Sequence, residues 1–209
     1  MAHQKLDVID LNIDFLAGSG HKLCGPTGIG FLWSRKEILE KIPPLFGGGE
    51  MIQDVFEETS TWAELPHKFE AGTPAIAEAI GLAEAINYIN NIGLNEIHEY
   101  EKTITKYLFE KLNQIENIEI IGPSPEIDPD RASLATFYIK NIHSNDIAEI
   151  LDSKGICIRS GHHCCQPLHR YIGIKSTARI SMNFTTNKEE IDMFIEKLKD
   201  TIDFLKINS

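Results

Sequence analysis

The chain has 209 residues, 42% of them hydrophobic and 24% charged. That composition is ordinary for a globular protein and excludes a disordered, collagen-like or disulfide-stapled chain. The formal net charge is −11, with acids in excess both before and after residue 74, so the basic patch that a nucleic-acid groove or an anionic membrane surface needs is missing.

No apolar run reaches the roughly 18 residues of a membrane span. Residues 1–14 have no long apolar segment behind a basic patch, so no secretory signal is expected. In chain order, residues 15–17 form a short apolar stretch. Gly25-Pro26-Thr27-Gly28-Ile29-Gly30 then leads into Phe31-Leu32-Trp33, which reads as a buried strand. Gly47-Gly48-Gly49 marks a flexible turn. Between Lys41 and Lys68 there are five acids and no Lys or Arg. A solvated loop face explains Glu50, Asp54, Glu57, Glu58 and Glu64 more simply than a cation site.

After Pro74, Ile76, Ala79, Ile80, Ala83, Ile86 and Ile89 recur at helical spacing, and Gly93 supplies a stop. Ile97, Ile104, Leu108 and Leu112 continue on a second helix. Residues 118–121, 135–139, 156–158 and 179–182 predict strands. Ser144 is placed to cap a helix carrying Ile147, Ile150 and Leu151. Thr186-Asn187-Lys188-Glu189 has the form of a capping box. It precedes a helix with Ile191, Phe194, Ile195, Leu198, Ile202 and Leu205 on one face. From residue 115 the order strand, strand, helix, strand, strand, helix predicts an α+β layer with helices on one face of a small sheet. The expected division is residues 1–90 as part of a larger domain, 91–114 as a connecting helix and 115–209 as a small domain.

Ser19-Gly20-His21-Lys22 lies between apolar stretches. Partial desolvation there favours a neutral amine, which can bond an aldehyde such as that of pyridoxal phosphate. A plain surface lysine is the alternative. The glycine run lacks a following Lys-Ser/Thr, so it is no nucleotide-binding loop. Phe69-Glu70-Ala71-Gly72-Thr73-Pro74 suits either an anion or the cap of the following helix. Arg159-Ser160-Gly161-His162-His163-Cys164-Cys165-Gln166-Pro167-Leu168-His169 is the richest segment, and three of the four cysteines lie in or beside it. A structural loop, a metal site and a nucleophile loop compete. The metal reading lacks a second pair of ligands at zinc spacing. The nucleophile reading places a thiol beside imidazoles and Arg159, which favour its thiolate. Cys24 and Cys157 read as small core residues. Arg179 is either a carboxylate clamp or a surface residue of an edge strand. A cysteine cluster of this kind, without a signal peptide, fits a reducing compartment such as the cytoplasm.

Together these segments resemble the pyridoxal-phosphate-dependent cysteine desulfurases of the class V aminotransferase group, most closely the sulfur-mobilisation (SUF) type of bacteria and plastids. The residues that carry the resemblance are Ser19-Gly20-His21-Lys22 with Gly25 to Gly30, Gly47-Gly48-Gly49-Glu50-Met51-Ile52, Phe69 to Pro74, and Arg159-Ser160-Gly161-His162-His163-Cys164 with Gln166-Pro167-Leu168. They run over nearly the whole chain in the family's order.

The resemblance implies an α/β plus α+β architecture: the C-terminal half of a fold-type I transferase, with the end of the large cofactor domain and a complete small domain. It implies pyridoxal 5'-phosphate as cofactor, with Lys22 as Schiff-base lysine and proton shuttle and Ser19 and His21 on the phosphate. Thr73 would reach the phosphate of a partner subunit's cofactor across a homodimer. Arg179 would hold the substrate carboxylate, supported by Arg159. Cys164 would take sulfur from L-cysteine as a persulfide, leaving L-alanine, and pass it to an acceptor protein for iron–sulfur cluster assembly in the cytoplasm or plastid stroma. No metal is expected. Selenocysteine lyase is the close alternative, and the scaffold leaves sulfur and selenium open. From a different class, a truncated non-catalytic module that dimerises or docks a sulfur acceptor also fits. A metal-binding module of His162, His163, Cys164 and His169 is third. Two departures stand out. Cys165 takes the place of a small residue without a thiol. The family's N-terminal half, with its ring-stacking histidine and ring-nitrogen aspartate, is missing from this sequence. The expectation is a fragment or one half of a split enzyme, inactive alone.

Overall fold

A computed structural model describes residues 2–207, which divide into two compact units that part between Leu94 and Asn95. In the first unit, β1 (Phe15–Ser19) pairs antiparallel with β2 (Gly30–Ser34), Ser19 opposite Gly30. A 3-10 turn, Gly20–Leu23, links them. Phe31, Leu32 and Trp33 were expected to be buried. Instead the ribbon is half-exposed, Leu32 retaining 55% of its accessible surface, because two strands alone have no second layer to cover both faces. Helix α1 (Lys36–Lys41) follows. Its last carbonyls are held by buried Lys68, whose Nζ donates to Leu39 O at 3.0 Å and Glu40 O at 3.1 Å. Strands β3 (Ile52–Val55) and β4 (Ser60–Trp62) make a second antiparallel ribbon. The five acids between Lys41 and Lys68 are exposed, as a solvated face requires.

Helix α2 (Ile76–Ile92) ends at Gly93, whose φ of 100° is open to glycine. Within this unit it buries Leu82 and Ile89, while Ile76, Ile80 and Ile86 of the apolar stripe stay exposed.

The second unit is a four-stranded antiparallel sheet in the order β5-β6-β8-β7, built from β5 (Ile118–Ile121), β6 (Leu134–Ile139), β7 (Arg159–Gly161) and β8 (Thr177–Ser181). Helices α3 (Leu94–Leu112), α4 (Ser144–Ser153) and α6 (Lys188–Ile207) supply the other side of one core. Strand alternation explains the layering: Ala135, Phe137 and Ile139 of β6 and Ala178 of β8 face Ile104, Leu108, Leu112, Ile147, Leu151, Phe194 and Leu198. The Phe137 and Phe194 rings meet at 6.5 Å, tilted by 55°.

Three boundaries differ from the sequence pattern. Residues 156–158 form no strand; pairing starts at Arg159, where the chain first lies alongside β8. The cap of α4 is His143, whose Nδ1 accepts from the Asn145 backbone at 3.2 Å, and Ser144 is the first helical residue. The capping box of α6 is one residue later than expected. Asn187 Oδ1 accepts from Glu190 N at 2.9 Å, and Glu190 Oε2 accepts from Asn187 N at 3.0 Å. A short helix, α5 (Gln166–Ile172), was not expected. Among the described residues, no helix is long and apolar enough to cross a membrane.

Candidate active site

In the first unit, Ser19 ends β1 and His21 and Lys22 ride on the 3-10 turn. Close approach fixes this turn. Gly20 N donates to Ile29 O at 2.8 Å, and a Cβ on Gly20 would lie 2.7 Å from Ile29 Cγ2 and 2.9 Å from Ile29 O. Likewise a Cβ on Gly30 would sit 2.6 Å from Gly18 O. The Gly25 amide is spent on Gly20 O at 3.0 Å, closing the loop. Lys22 and His21 are exposed. The expected partial desolvation of Lys22 is therefore not provided: the flanking strands form an open ribbon that leaves the amine in water. Cys24, expected in the core, is also exposed; it ends the turn in a left-handed conformation with φ 59°. Cys157 is exposed as well, because it lies between α4 and β7 and outside any strand.

Thr73 stands on a separate loop, tied to the triple-glycine turn by Gly72 N donating to Gly49 O at 2.9 Å. It is exposed and caps nothing: α2 starts at Ile76, with Ala75 at the cap position and no side-chain bond there.

In the second unit, the register sets Arg159 of β7 directly opposite Arg179 of β8, and Arg179 opposite Thr136 of β6. Since Ala178 and Phe137 take the core-facing positions, both guanidiniums lie on the face turned from the helices. Like charges directly opposite each other on a sheet repel, and a bound anion relieves that repulsion. Arg179 Nε donates to Ser181 Oγ at 3.1 Å.

Between β7 and α5 the chain makes a tight turn in which His163 and Cys164 both have left-handed backbones, φ 51° and 64°. Such conformations cost non-glycine residues energy and persist where their surroundings impose them. Cys164 is exposed, and Arg159 Nη2 donates to its Sγ at 3.1 Å. The half-buried Cys165 thiol donates to His162 O at 3.0 Å. His169, 4% exposed, approaches Cys165 O with Nδ1 at 3.2 Å and Thr177 Oγ1 with Nε2 at 3.0 Å. His163 Nε2 reaches the same Thr177 hydroxyl at 2.9 Å. Burial holds the His163 pKa below its ordinary range, the charges of Arg179, Arg159 and His169 add to the effect, and a hydrogen bond with the Thr177 backbone opposes it. Among the described residues, no three His, Cys, Asp or Glu side chains gather as a metal site.

Arg159 of the edge strand β7, Cys164 after it and Arg179 of β8 thus lie at one side of the sheet, and Ser19, His21 and Lys22 adjoin one turn; β8 pairs on both sides, so Arg179 does not stand on an edge strand. The residue that sequence reasoning passed over is Thr177. The signal was present: in Thr177-Ala178-Arg179, strand alternation sets Thr177 on the same face as Arg179.

The class-V aminotransferase family profile matches residues 1–194. A probable cysteine desulfurase of Synechocystis sp. is 52% identical over 202 residues, 97% of this chain and 48% of the relative. Among solved structures, the cysteine desulfurase of Thermococcus onnurineus NA1 matches with a TM-score of 0.90 at 38% identity, covering 97% of this chain and 50% of that one. A mutant of C-DES with glycine covalently linked to its pyridoxal phosphate cofactor matches with a TM-score of 0.79 at 25% identity, covering 95% and 49%. The chain spans about half the length of the relatives it matches, and its mixed α/β fold is that of the corresponding half of these enzymes. The chain belongs to the class-V aminotransferases.

Proposed function

We propose that the chain is the C-terminal half of a pyridoxal-phosphate-dependent cysteine desulfurase that collects sulfur from L-cysteine on Cys164. The observation that carries this reading is the Arg159–Cys164 contact of 3.1 Å on an exposed left-handed turn, with Arg179 across the strand pair. The donor set suits the cofactor: a primary amine, an imidazole and a hydroxyl stand within four residues, on a turn whose glycine leaves no room for a side chain. When bound, pyridoxal phosphate supplies an electron sink for the substrate's α-carbon.

Lys22 Nζ would hold the cofactor through its aldehyde carbon and would be the base that takes and returns the substrate's α-proton. Ser19 Oγ and a ring N–H of His21 would hold the phosphate, and Thr73 Oγ1 would serve the phosphate bound by a second subunit. Arg179, with Arg159 beside it, grips the substrate carboxylate by charge-assisted hydrogen bonds. Cys164 Sγ attacks the substrate's sulfur: the substrate C–S bond breaks, an S–S bond forms on Cys164, and alanine leaves. Because Cys164 is exposed, an acceptor protein's thiol can collect the outer sulfur by thiol exchange. With Lys22 in open water, the 209-residue chain alone is inactive.

The test supplies an N-terminal half in trans, using the part of the Synechocystis relative that this chain does not match. Alanine production from L-cysteine is expected only in the reconstituted enzyme. Cys164→Ser should abolish the persulfide, and Lys22→Ala should remove the cofactor's absorbance band. Full turnover by the isolated chain, or an undiminished persulfide in Cys164→Ser, would overturn the reading. Selenocysteine offered in parallel separates the selenium-specific alternative.

A further inference from the structure

We propose that Thr177 is a positioning residue for the Cys164 turn: its single hydroxyl sets His169 and His163 in opposite tautomers and anchors the turn to β8. The inference rests on Cys164 being the sulfur acceptor, and it adds the group that holds that thiol's turn in place.

Hydrogen-bond accounting carries it. A carbonyl only accepts. The Cys165 thiol lies 3.0 Å from His162 O and 3.9 Å from His169 Nδ1, so the shorter contact takes its hydrogen, and His169 Nδ1 carries the hydrogen it gives to Cys165 O at 3.2 Å. In that neutral ring Nε2 has only a lone pair, so the Thr177 hydroxyl donates to it across 3.0 Å. The hydroxyl has one hydrogen. Toward His163, 2.9 Å away, Thr177 Oγ1 can only accept, and the His163 hydrogen therefore sits on Nε2. The chain of donors ends at His163 Nδ1, which is buried and has no partner in the structure. Thr177 is 1% exposed and His169 4%, so water does not compete for the shared hydroxyl.

The charged groups that bear on His163 are Arg179 of β8, Arg159 of β7 and His169 of α5, and the Thr177 backbone also hydrogen-bonds the ring. The Nε2–Oγ1 hydrogen bond ties the left-handed His163 to a buried strand residue, so the turn that displays Cys164 is anchored at its root. So anchored, the turn holds Cys164 Sγ 3.1 Å from Arg159 Nη2, and a guanidinium at that distance favours the thiolate.

Nitrogen-15 NMR of imidazole tautomers in the 209-residue chain at neutral pH tests this directly. The expected result is His169 as the Nδ1–H form and His163 as the Nε2–H form; His163 found mainly as Nδ1–H or as imidazolium overturns it. Thr177→Val removes the hydroxyl at similar volume. It should shift the His163 tautomer ratio by about tenfold, the typical net worth of one hydrogen bond, and slow iodoacetamide labelling of Cys164, read on its own peptide, by a similar factor. Thr177→Ser should restore both. A Thr177→Val protein that behaves as wild type, or a Thr177→Ser protein as impaired as Thr177→Val, refutes the proposal. Should Thr177→Val fail to fold, the wild-type tautomers still decide. None of these readouts needs cofactor or substrate, so their failure is distinct from failure of the reconstituted enzyme to make alanine.

Discussion

Gly20 shows how little freedom the Lys22 turn has. Any side chain there meets both a methyl and a carbonyl of Ile29 inside contact distance. The carbonyl belongs to a backbone already bonded to Gly20 N, and it has nowhere to go. Gly20→Ala should destabilise the chain by about 1–3 kcal/mol, the usual cost of overpacking, which a denaturant titration followed by tryptophan fluorescence would read through Trp33 and Trp62. A melt as stable as wild type would show that the ribbon can open. Residue identity revealed the Lys22 motif and the Cys164 loop, because reactive side chains at fixed spacing are visible in one dimension. Exposure was less legible. Cys24, Cys157 and Lys22 were expected to be sheltered by their apolar neighbours, yet a two-stranded ribbon and a loop shelter nothing.

Elements were legible where an apolar period runs long. Helices α3 and α6 and strand β6 repeat their buried residues at the expected spacing, and their packing follows. Short elements were not. β7 has three residues and gains its identity from pairing with β8. α5 has seven, with a proline in its first turn. Tertiary contacts decide such segments, so no local pattern could announce them. The capping box of α6 illustrates a one-residue error: Thr186 and Asn187 are both good caps, and the chain uses the one whose side chain reaches Glu190 N. Asn187→Ala should cost about 1 kcal/mol, whereas Thr186→Ala should leave that reciprocal pair standing. Paired thermal melts of the two variants compare them directly.

The molecule as a whole divides at residues 94 and 95, and the second unit holds its own core of α3, α4, α6 and the four-stranded sheet. Residues 95–209 expressed alone should melt cooperatively, as seen by near-ultraviolet circular dichroism. The pH dependence has a definite sign. His163 takes a proton less readily in the fold than in the unfolded chain, whose imidazole titrates near pH 6.5, so its contribution is complete above that pH and is lost as pH falls through it toward the lower folded value. The melting temperature should therefore be steady from about pH 8 to 7 and decline below about 6.5; His163→Gln should remove this component of the decline. The facing guanidiniums of Arg159 and Arg179 carry a practical consequence. Any small anion able to bridge them is a ligand of the folded state alone, and ligands of that kind raise the melting point by mass action. At matched ionic strength, sulfate and phosphate should protect this unit more than chloride does, and Arg179→Gln should erase the ranking. A purification salt of that kind would take the place that the proposed function reserves for the substrate carboxylate, and would compete with it.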